Sequence, residues 1–569
     1  MNSSLPSARS AEPFGRSDAT QRPAMRIDAR GVLFARAALA GIGLAGSLLV
    51  VYATRWGPWA YSDGVGYLML ARNVLQGVGL GLMRASGEFH PLSLHPPLFP
   101  LTLAALGVTG ADLIQVARWL NAALFGVAIV LGGALVYLGS GRGWLASATS
   151  FALLFSPQLV YLFSGAMSEP MFFVLVLGSL LALQVYLGQR QRLGLLAAGI
   201  GTGLAILTRY PGVALLLPGI AGVVARETRD WKAKATDGAL YLGLAGAPVF
   251  VWLGWVGLQP GADPPRQWNW DLTHLPSRVK PVIEGVGFAL WDWLPFSGWA
   301  GELPTWVKQA VLGILVLAAL GLGVLLVLRL RRANLPTWHR DPTVLLGLLL
   351  GTFAIAYLGQ LTVTYLFSIP VLDPSDIDQR ILAPILVVLV LSWFGVADLL
   401  RRSFPTRRWL AAVPGAVLLL YAGWFTPQTW EIAASLNREG AGYTSRTWRN
   451  SHTISALQAL PAETPIITNE SAAVMFWLDR PAYDFKLPAS IEPGSALDRF
   501  GDGANELDRI FRDEGATLIL FNSISQQLAG SYGQELAETR LAELTRGLEL
   551  FAKLDDGAVF FYPIGGSSG

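Results

Sequence analysis

Only 14% of this 569-residue chain is charged, so polar groups set beside long apolar runs are the first candidates for chemistry. Asp63 lies in "YSDGVGYLML" (61–70), at an expected helix start just past the first apolar run. A carboxylate there could take a proton from an attacking hydroxyl. Equally, Ser62 or Asp63 could cap the helix, and one side chain can do both. His90 and His95 follow in the same stretch, two of the five histidines, the second opening "HPPLFPLTLAAL" (95–106). A lone histidine is usually a loop residue satisfied by its neighbours; near Asp63, His95 is a candidate for positioning a substrate.

"SGAMSEPMFF" (164–173) puts Ser168, Glu169 and Pro170 at another helix start, where a cap, a first-turn acid and an N1 proline belong. "LTRYPG" (207–212) says more. The flanking runs 193–207 and 212–225 each reach about 22 Å as helix, short of a hydrocarbon core of about 30 Å. Their shared turn should therefore be sunk in the membrane, with Arg209 and Tyr210 on it. An unpaired arginine at such depth costs about 2.5–3.5 kcal/mol on insertion scales. Arg209 then needs Glu169, another carboxylate or a lipid phosphate; a plain helix C-terminal arginine is the alternative. In "LDPSDIDQRILAP" (372–384), one of Asp373, Asp376 and Asp378 is expected to cap the next helix. Arg380, just inside that helix, opposes the dipole, which points to a bound anion or a neighbouring aspartate.

The elements that carry these residues belong to a membrane protein. The chain is 53% hydrophobic with mean hydropathy +0.45, more apolar surface than a soluble fold of this length could bury. There is no cysteine, hence no disulfide framework and no thiolate chemistry. Residues 1–32 read as a disordered, arginine-dotted tail with no apolar core for a signal peptide. Apolar runs then recur near 33–53, 113–138, 145–163, 171–187, 193–207, 212–225, 238–258, 307–328, 343–367, 381–400 and 409–425. About eleven transmembrane helices are expected within 33–426.

Alternate loops hold the basic residues: Arg142; Arg190 and Arg192; Arg226 to Lys234; Arg329 to Arg340; Arg401 to Arg408. Positive-inside bias puts these loops and the N-terminus in the cytoplasm, and the C-terminus outside a plasma or inner membrane. Asp63, His95, Glu169, Arg209 and the 373–380 cluster then share the outer rim. Beyond Asp63, Tyr67, Leu68, Leu70, Ala71, Val74 and Leu75 recur at helical spacing, as in a helix lying on the membrane surface. Trp268, Trp270, Trp291, Trp293 and Trp299 in 259–306 are expected chiefly as interfacial anchors. Residues 427–569 alternate helical stretches with β-like runs ("TPIITN", "TLILFN", "AVFFYP"), the pattern of a small extracytoplasmic α/β domain.

Together, "SDGVGYLMLARNVLQGVGL", "HPPLFPLTLA", "SEP", "LTRYPG" and "DIDQRILAP" resemble the type C membrane glycosyltransferases, nearest the Rgt-like and protein-mannosyltransferase-like branch. "TPIITNESAAVMFWLDRPAYDF" (464–485) resembles the outer C-terminal part of such chains. The resemblance implies a polyprenyl-phosphate sugar as donor and transfer on the outer face to a hydroxyl of a glycan, lipid or protein. It makes Asp63 the base or a metal-associated carboxylate. Many relatives pair that aspartate with a second acid; here Gly64 follows, so a divalent cation is left open. Arg209 and Arg380 would meet the donor phosphate, and His95, Glu169, Tyr210 and Asp378 would position substrates. A single displacement would invert the anomeric centre.

A transporter or flippase for a lipid-linked sugar would also need an arginine, but it calls for polar groups mid-membrane and for internal repeats. A non-catalytic scaffold leaves Asp63 and Arg209 unexplained. No phosphate loop, GxGxxG or HExxH occurs, and nothing indicates nucleic acid.

Overall fold

The computed structural model describes residues 29–562 apart from 190, 227–229, 263–266, 295–296, 298–302, 315–316, 318–340, 370–376, 405, 407–411 and 485–503. Asp373, Asp376, Trp299, residues 1–28 of the expected tail and most of the run 307–328 lie outside the described residues.

The chain begins with α1 (Ala29–Ala53), α2 (Ser62–Leu75), a hairpin of β1 (Gly81–Met83) and β2 (Phe89–Pro91), and α3 (Leu98–Gly107). The bundle continues with α4 (Leu113–Ser140), α5 (Gly143–Leu154), α6 (Pro157–Phe163), α7 (Glu169–Gln189) and α8 (Arg192–Thr208). After a 3-10 turn (Tyr210–Leu215) come α9 (Leu216–Ala225), α10 (Trp231–Leu258), β3 (Gln267–Trp268) and α11 (Leu275–Asp292). It closes with α12 (Pro342–Phe367), β4 (Ser368–Ile369), α13 (Gln379–Ser403) and α14 (Val413–Glu439).

Six of these helices are long and apolar enough to cross a membrane: α1, α4, α7, α10, α12 and α13. A seventh span arises if α5 and α6, bent by 66° at Ser156, count as one. The chain is thus a polytopic helical membrane protein, and the described helices do not by themselves give eleven spans. The shortfall has physical causes. α8 and α9 are short, as the submerged-turn argument requires, and α14 mixes Thr426, Gln428, Thr429 and Glu431 into its second half.

Small residues let the helices close up, as in membrane bundles generally. A Cβ on Gly43 of α1 would come within 2.8 Å of the Gly126 carbonyl on α4, so these two backbones nearly touch. The main core runs from this pair through α7 and α8 to α12 and α13, with Phe125, Phe163, Phe172 and Phe353 fully buried.

After α14 come α15 (Arg446–Arg449), α16 (His452–Leu457), β5 (Ile466–Thr468), α17 (Ser471–Leu478), β6 (Tyr483–Asp484), α18 (Ala504–Asp513) and β7 (Thr517–Phe521). The last elements are α19 (Ser523–Tyr532), α20 (Gln534–Thr545), β8 (Glu549–Leu554) and β9 (Gly557–Phe561). The five strands form one mixed sheet in the order β6-β5-β7-β9-β8. β5 runs parallel to both β6 and β7, and β9 lies antiparallel between β7 and β8. All five residues of β7 are buried, the mark of a central strand covered on both faces.

The helix expected on the membrane surface is α2, and protein covers one face of it. Seven of its fourteen residues are buried, and Phe476 and Trp477 of α17 close over the same cluster. An ion pair from Arg72 to Asp479 (3.0 Å) spans that seam.

Candidate active site

Three separate chain segments meet just before α2. Trp59 bridges Gly165 in parallel, its N–H donating to the Ser164 carbonyl (2.9 Å) and its own carbonyl accepting from Ala166 (2.8 Å). On the other side Ala60 bridges Gly442 and accepts from the Tyr443 N–H (2.8 Å). Asn121 of α4 donates to the Gly165 carbonyl from inside the bundle. This short ladder orients two of the site's carboxylates, because Asp63 lies three residues past Ala60 and Glu169 three past Ala166.

Neither Ser62 nor Asp63 caps α2, contrary to one expectation. The N-cap is Tyr61, held extended by the ladder (φ −100°, ψ −165°), and makes no side-chain cap bond. Asp63 falls in the first turn, where its charge still favours the helix N-terminus. Gly64 explains the missing second acid. A Cβ there would sit 3.1 Å from Ala60 Cβ and 3.2 Å from the Ala166 carbonyl, so a side chain there would press on the ladder, which would have to give by a few tenths of an ångström.

Glu169 is the centre of the cluster. It is 3% exposed, at the start of α7. Arg209 Nη1 lies 2.8 Å and Arg380 Nε 3.5 Å from its Oε1. Arg209 also donates to Ser168 Oγ (3.2 Å), which meets the Tyr67 hydroxyl (3.3 Å). Burial pushes Tyr67 up to about 12, so it stays a neutral hydroxyl. Arg380 reaches Asp63 Oδ2 at 3.8 Å and Asp378 Oδ2 at 3.7 Å. Asp378 is the N-cap of α13, accepting from the Ile381 N–H (2.9 Å), so one member of the acidic cluster does cap that helix.

A cavity of about 390 Å³ opens beside the cluster. Arg209, Tyr67, His95 and Tyr210 form its polar side, while Val249 and Leu253 of α10 and Leu361 and Tyr365 of α12 line it with apolar surface. The Tyr210 hydroxyl is held by Trp252 Nε1 (3.3 Å) and donates to the Ser93 carbonyl (3.4 Å). His95 packs against the Tyr67 ring with centroids 5.5 Å apart. Among the described residues, both Glu169 oxygens, Arg380 Nε and Gln360 Oε1 are buried without a well-formed hydrogen bond. Gln360 lines the cavity too. Polar atoms left this way in one place are suited to meeting a ligand.

All seven residues expected at the site are therefore close to one another or to this cavity. His90 is not: it sits in the β1–β2 hairpin opposite Leu82. Sequence reasoning missed Tyr67 and Gln360 as site residues: Tyr67 reads only as part of the apolar face of α2, and Gln360 sits within a helical stretch with nothing to mark it. The tryptophan expectation fails in part: of the four described, Trp291 and Trp293 are buried, while Trp268 and Trp270 are exposed and stacked 6.0 Å apart. Trp268 also faces the cavity.

No family model and no curated protein matches the chain. Among solved structures it is similar to ArnT from Cupriavidus metallidurans bound to undecaprenyl phosphate. That match has TM-score 0.51 and 15% identity, and covers 91% of this chain and 97% of that one. The apo state of the same ArnT gives TM-score 0.48 at 16% identity over 91% and 97%. The S. cerevisiae protein O-mannosyltransferase Pmt1-Pmt2 complex bound to the sugar donor gives 0.33 at 15% identity, over 40% of this chain and 34% of that one. The likeness to the undecaprenyl-phosphate-bound ArnT shows a shared fold.

Proposed function

We propose that the chain is a membrane glycosyltransferase that moves a sugar from a polyprenyl-phosphate donor to an acceptor hydroxyl on the extracytoplasmic face. The observation that carries this reading is the pair of arginines on one buried glutamate, next to a half-exposed aspartate and a cavity with apolar walls. The ArnT structure that shares this fold holds undecaprenyl phosphate, a ligand of the same class. A flippase reading has less support, since the ion pairs of the described spans lie near the helix ends rather than midway along them.

In this reading the isoprenoid chain lies against Val249, Leu253 and Leu361, and the phosphate sits before Arg209 and Arg380. Asp63 takes the proton from the acceptor hydroxyl as its oxygen attacks the anomeric carbon. The bond from that carbon to the phosphate oxygen breaks, and polyprenyl phosphate leaves with the electron pair. The two guanidinium groups offset its negative charge, with Glu169 holding both in place. His95, Tyr210 and Asp378 line the approach. One displacement inverts the sugar.

The site's described ion pairs comprise three carboxylates (Asp63, Glu169, Asp378) and two arginines, so the cluster is one charge negative before the phosphate arrives. Among the described residues no three acidic or histidine side chains form a metal site. A divalent cation entering with the donor nevertheless fits that charge count, since magnesium is commonly held by one or two carboxylates plus substrate phosphate. Asp378 and the donor's own oxygens would hold it, and it would add charge neutralisation at the leaving phosphate. We also place the basic loops inside, the C-terminal residues outside, and about eleven crossings in all, as the charge pattern supports.

The test is incubation of purified protein with labelled polyprenyl-phosphate sugars and a cell-envelope glycan fraction, with and without chelator. Release of polyprenyl phosphate coupled to glycan labelling is expected. Binding of the lipid with no release under either condition would overturn the enzyme reading.

A further inference from the structure

The sheet after α14 has a feature that the donor site does not use. β5 sends its crossover through α17 to β6 on one side, and the chain returns through α18 to β7 on the other. The strand order therefore reverses between β5 and β7. In open α/β sheets ligands bind at such a point, outside the carboxyl ends of the strands. Those ends carry Asn469 and Glu470 after β5, and Asn522 and Ser523 after β7.

The groups there are donors and acceptors within reach of one another. Glu470 accepts from the Tyr443 hydroxyl (2.6 Å), from Ser523 Oγ and from Gln527 Nε2 (3.3 Å). Asn469 donates to Ser523 (3.0 Å) and accepts from the Phe521 N–H (2.9 Å). Tyr443 ties this edge to the donor site, because its N–H is the one bonded to the Ala60 carbonyl, three residues before Asp63. Next comes Tyr61, 47% exposed, its ring 5.5 Å from that of Trp59. Tyr161, 37% exposed, stacks on Trp59 at 5.1 Å, so buried Trp59 backs both tyrosines. Neither tyrosine lines the donor cavity.

We propose that Tyr161, Tyr61, Tyr443 and Glu470, with Ser523 and Gln527, form the acceptor site, and that the acceptor is a carbohydrate. The proposal rests on the glycosyltransferase reading. A sugar ring presents an apolar face of C–H bonds and a rim of hydroxyls. Rigid aromatic faces with polar tips meet the first. Carboxylate, amide and hydroxyl groups meet the second, exchanging their present mutual bonds for bonds to the sugar. The strip leads from the sheet edge to the residue before Ser62 and Asp63, so a glycan on it would bring a terminal hydroxyl toward the base. Interfacial anchoring also explains exposed tyrosines in a membrane protein, but it gives no reason for the continuation to Glu470.

The full chain in lipid nanodiscs would be tested on an array of hexose and pentose oligosaccharides, with polyprenyl phosphate binding measured on the same preparations. Wild type is expected to be retained by at least one oligosaccharide. Tyr61→Ala and Glu470→Gln should each weaken retention about tenfold, with Tyr61→Phe close to wild type and lipid affinity unchanged throughout. Wild type that binds polyprenyl phosphate but no oligosaccharide overturns the acceptor site and leaves the donor reading intact. Tyr61→Ala binding as well as wild type, or retention on a peptide array lost in these same variants, overturns it too. Glycan retention without polyprenyl phosphate binding would instead break the donor reading.

Discussion

The two ends of the bundle hold the same kinds of charged groups and treat them differently. α13 carries Arg380 at one end and Asp398 and Arg402 at the other, about 27 and 33 Å away along the helix. Asp398 is 1% exposed and fully engaged: Oδ1 takes Arg142 Nε (2.8 Å), and Oδ2 takes Arg402 Nε (2.7 Å) and Thr343 Oγ1 (3.1 Å). Arg402 reaches on to Asp341 at 2.7 Å. Glu169 is about as buried and faces two arginines, yet neither of its oxygens makes a well-formed hydrogen bond among the described residues. This end opens on a cavity with one polar side and apolar walls. A satisfied network spends its charges on holding helices together, whereas an unsatisfied one keeps interactions in reserve for something that arrives.

The largest expected effect is at the open end. Asp63→Asn should lower transfer by about 10²–10⁴-fold, the range for removing a general base, with thermal stability unchanged. Near-wild-type turnover in that variant would remove Asp63 from the chemistry. At the closed end, Asp398→Ala leaves Arg142 and Arg402 facing an empty place, a change that costs about 3–5 kcal/mol for buried pairs. Denaturation in detergent should show the loss, while the folded fraction keeps its specific activity within about twofold. Activity lost at unchanged stability would break the contrast between the two ends.

How much of this was readable in advance follows the same division. The helical character came from apolar run length, and the two short helices flanking Arg209 from the shortness of their apolar runs, because both depend on local sequence. Capping of α13 by an aspartate and the pairing of Arg380 with carboxylates were legible in the same way, from position in the first turn. The expected strands at 464–469, 517–522 and 558–563 coincide with β5, β7 and β9. What could not be read was set by contacts distant in the chain. The cap of α2 is decided by a ladder joining residues near 60, 165 and 442, and the cover over α2 comes from residues 476 and 477. The choice of Glu169 as common partner of Arg209 and Arg380 needed three helices in place. Tyr67 reads in the sequence only as part of the apolar face of α2, and Gln360 sits in a helical stretch with no charge signal to mark it.

Intermediate effects should come from the phosphate-facing arginines. Arg380→Met removes a guanidinium that is a third exposed and leaves Glu169 its closer partner Arg209, so the fold should survive. Losing one charge-assisted contact of about 1.5–3 kcal/mol should weaken polyprenyl phosphate binding about 10–100-fold. Arg380→Lys should recover only part of this, since an ammonium lacks the planar fork. Lipid affinity unchanged in both variants would place the phosphate elsewhere in the cavity.

The smallest expected effect tests whether the contrast extends beyond the bundle. Asp556, in the turn between β8 and β9, accepts from Ser451 Oγ, from the Thr453 N–H (3.0 Å) and from Thr453 Oγ1 (2.7 Å). Partial burial pushes its carboxyl up, but these hydrogen bonds outweigh it and hold the group below the usual aspartate range. A carboxyl whose folded value is depressed contributes its stability fully above the unfolded value, near pH 4, and loses it as pH falls through the folded value. Stability should therefore decline below about pH 4 with a component that Asp556→Asn abolishes, under about 1 kcal/mol once solvent screening is allowed for. Like Asp398, this carboxylate is satisfied by its neighbours, so at neutral pH its replacement should register in unfolding and leave transfer alone. If Asp556→Asn instead slowed transfer at unchanged stability, hydrogen-bond satisfaction would no longer separate Asp398 and Asp556 from Glu169.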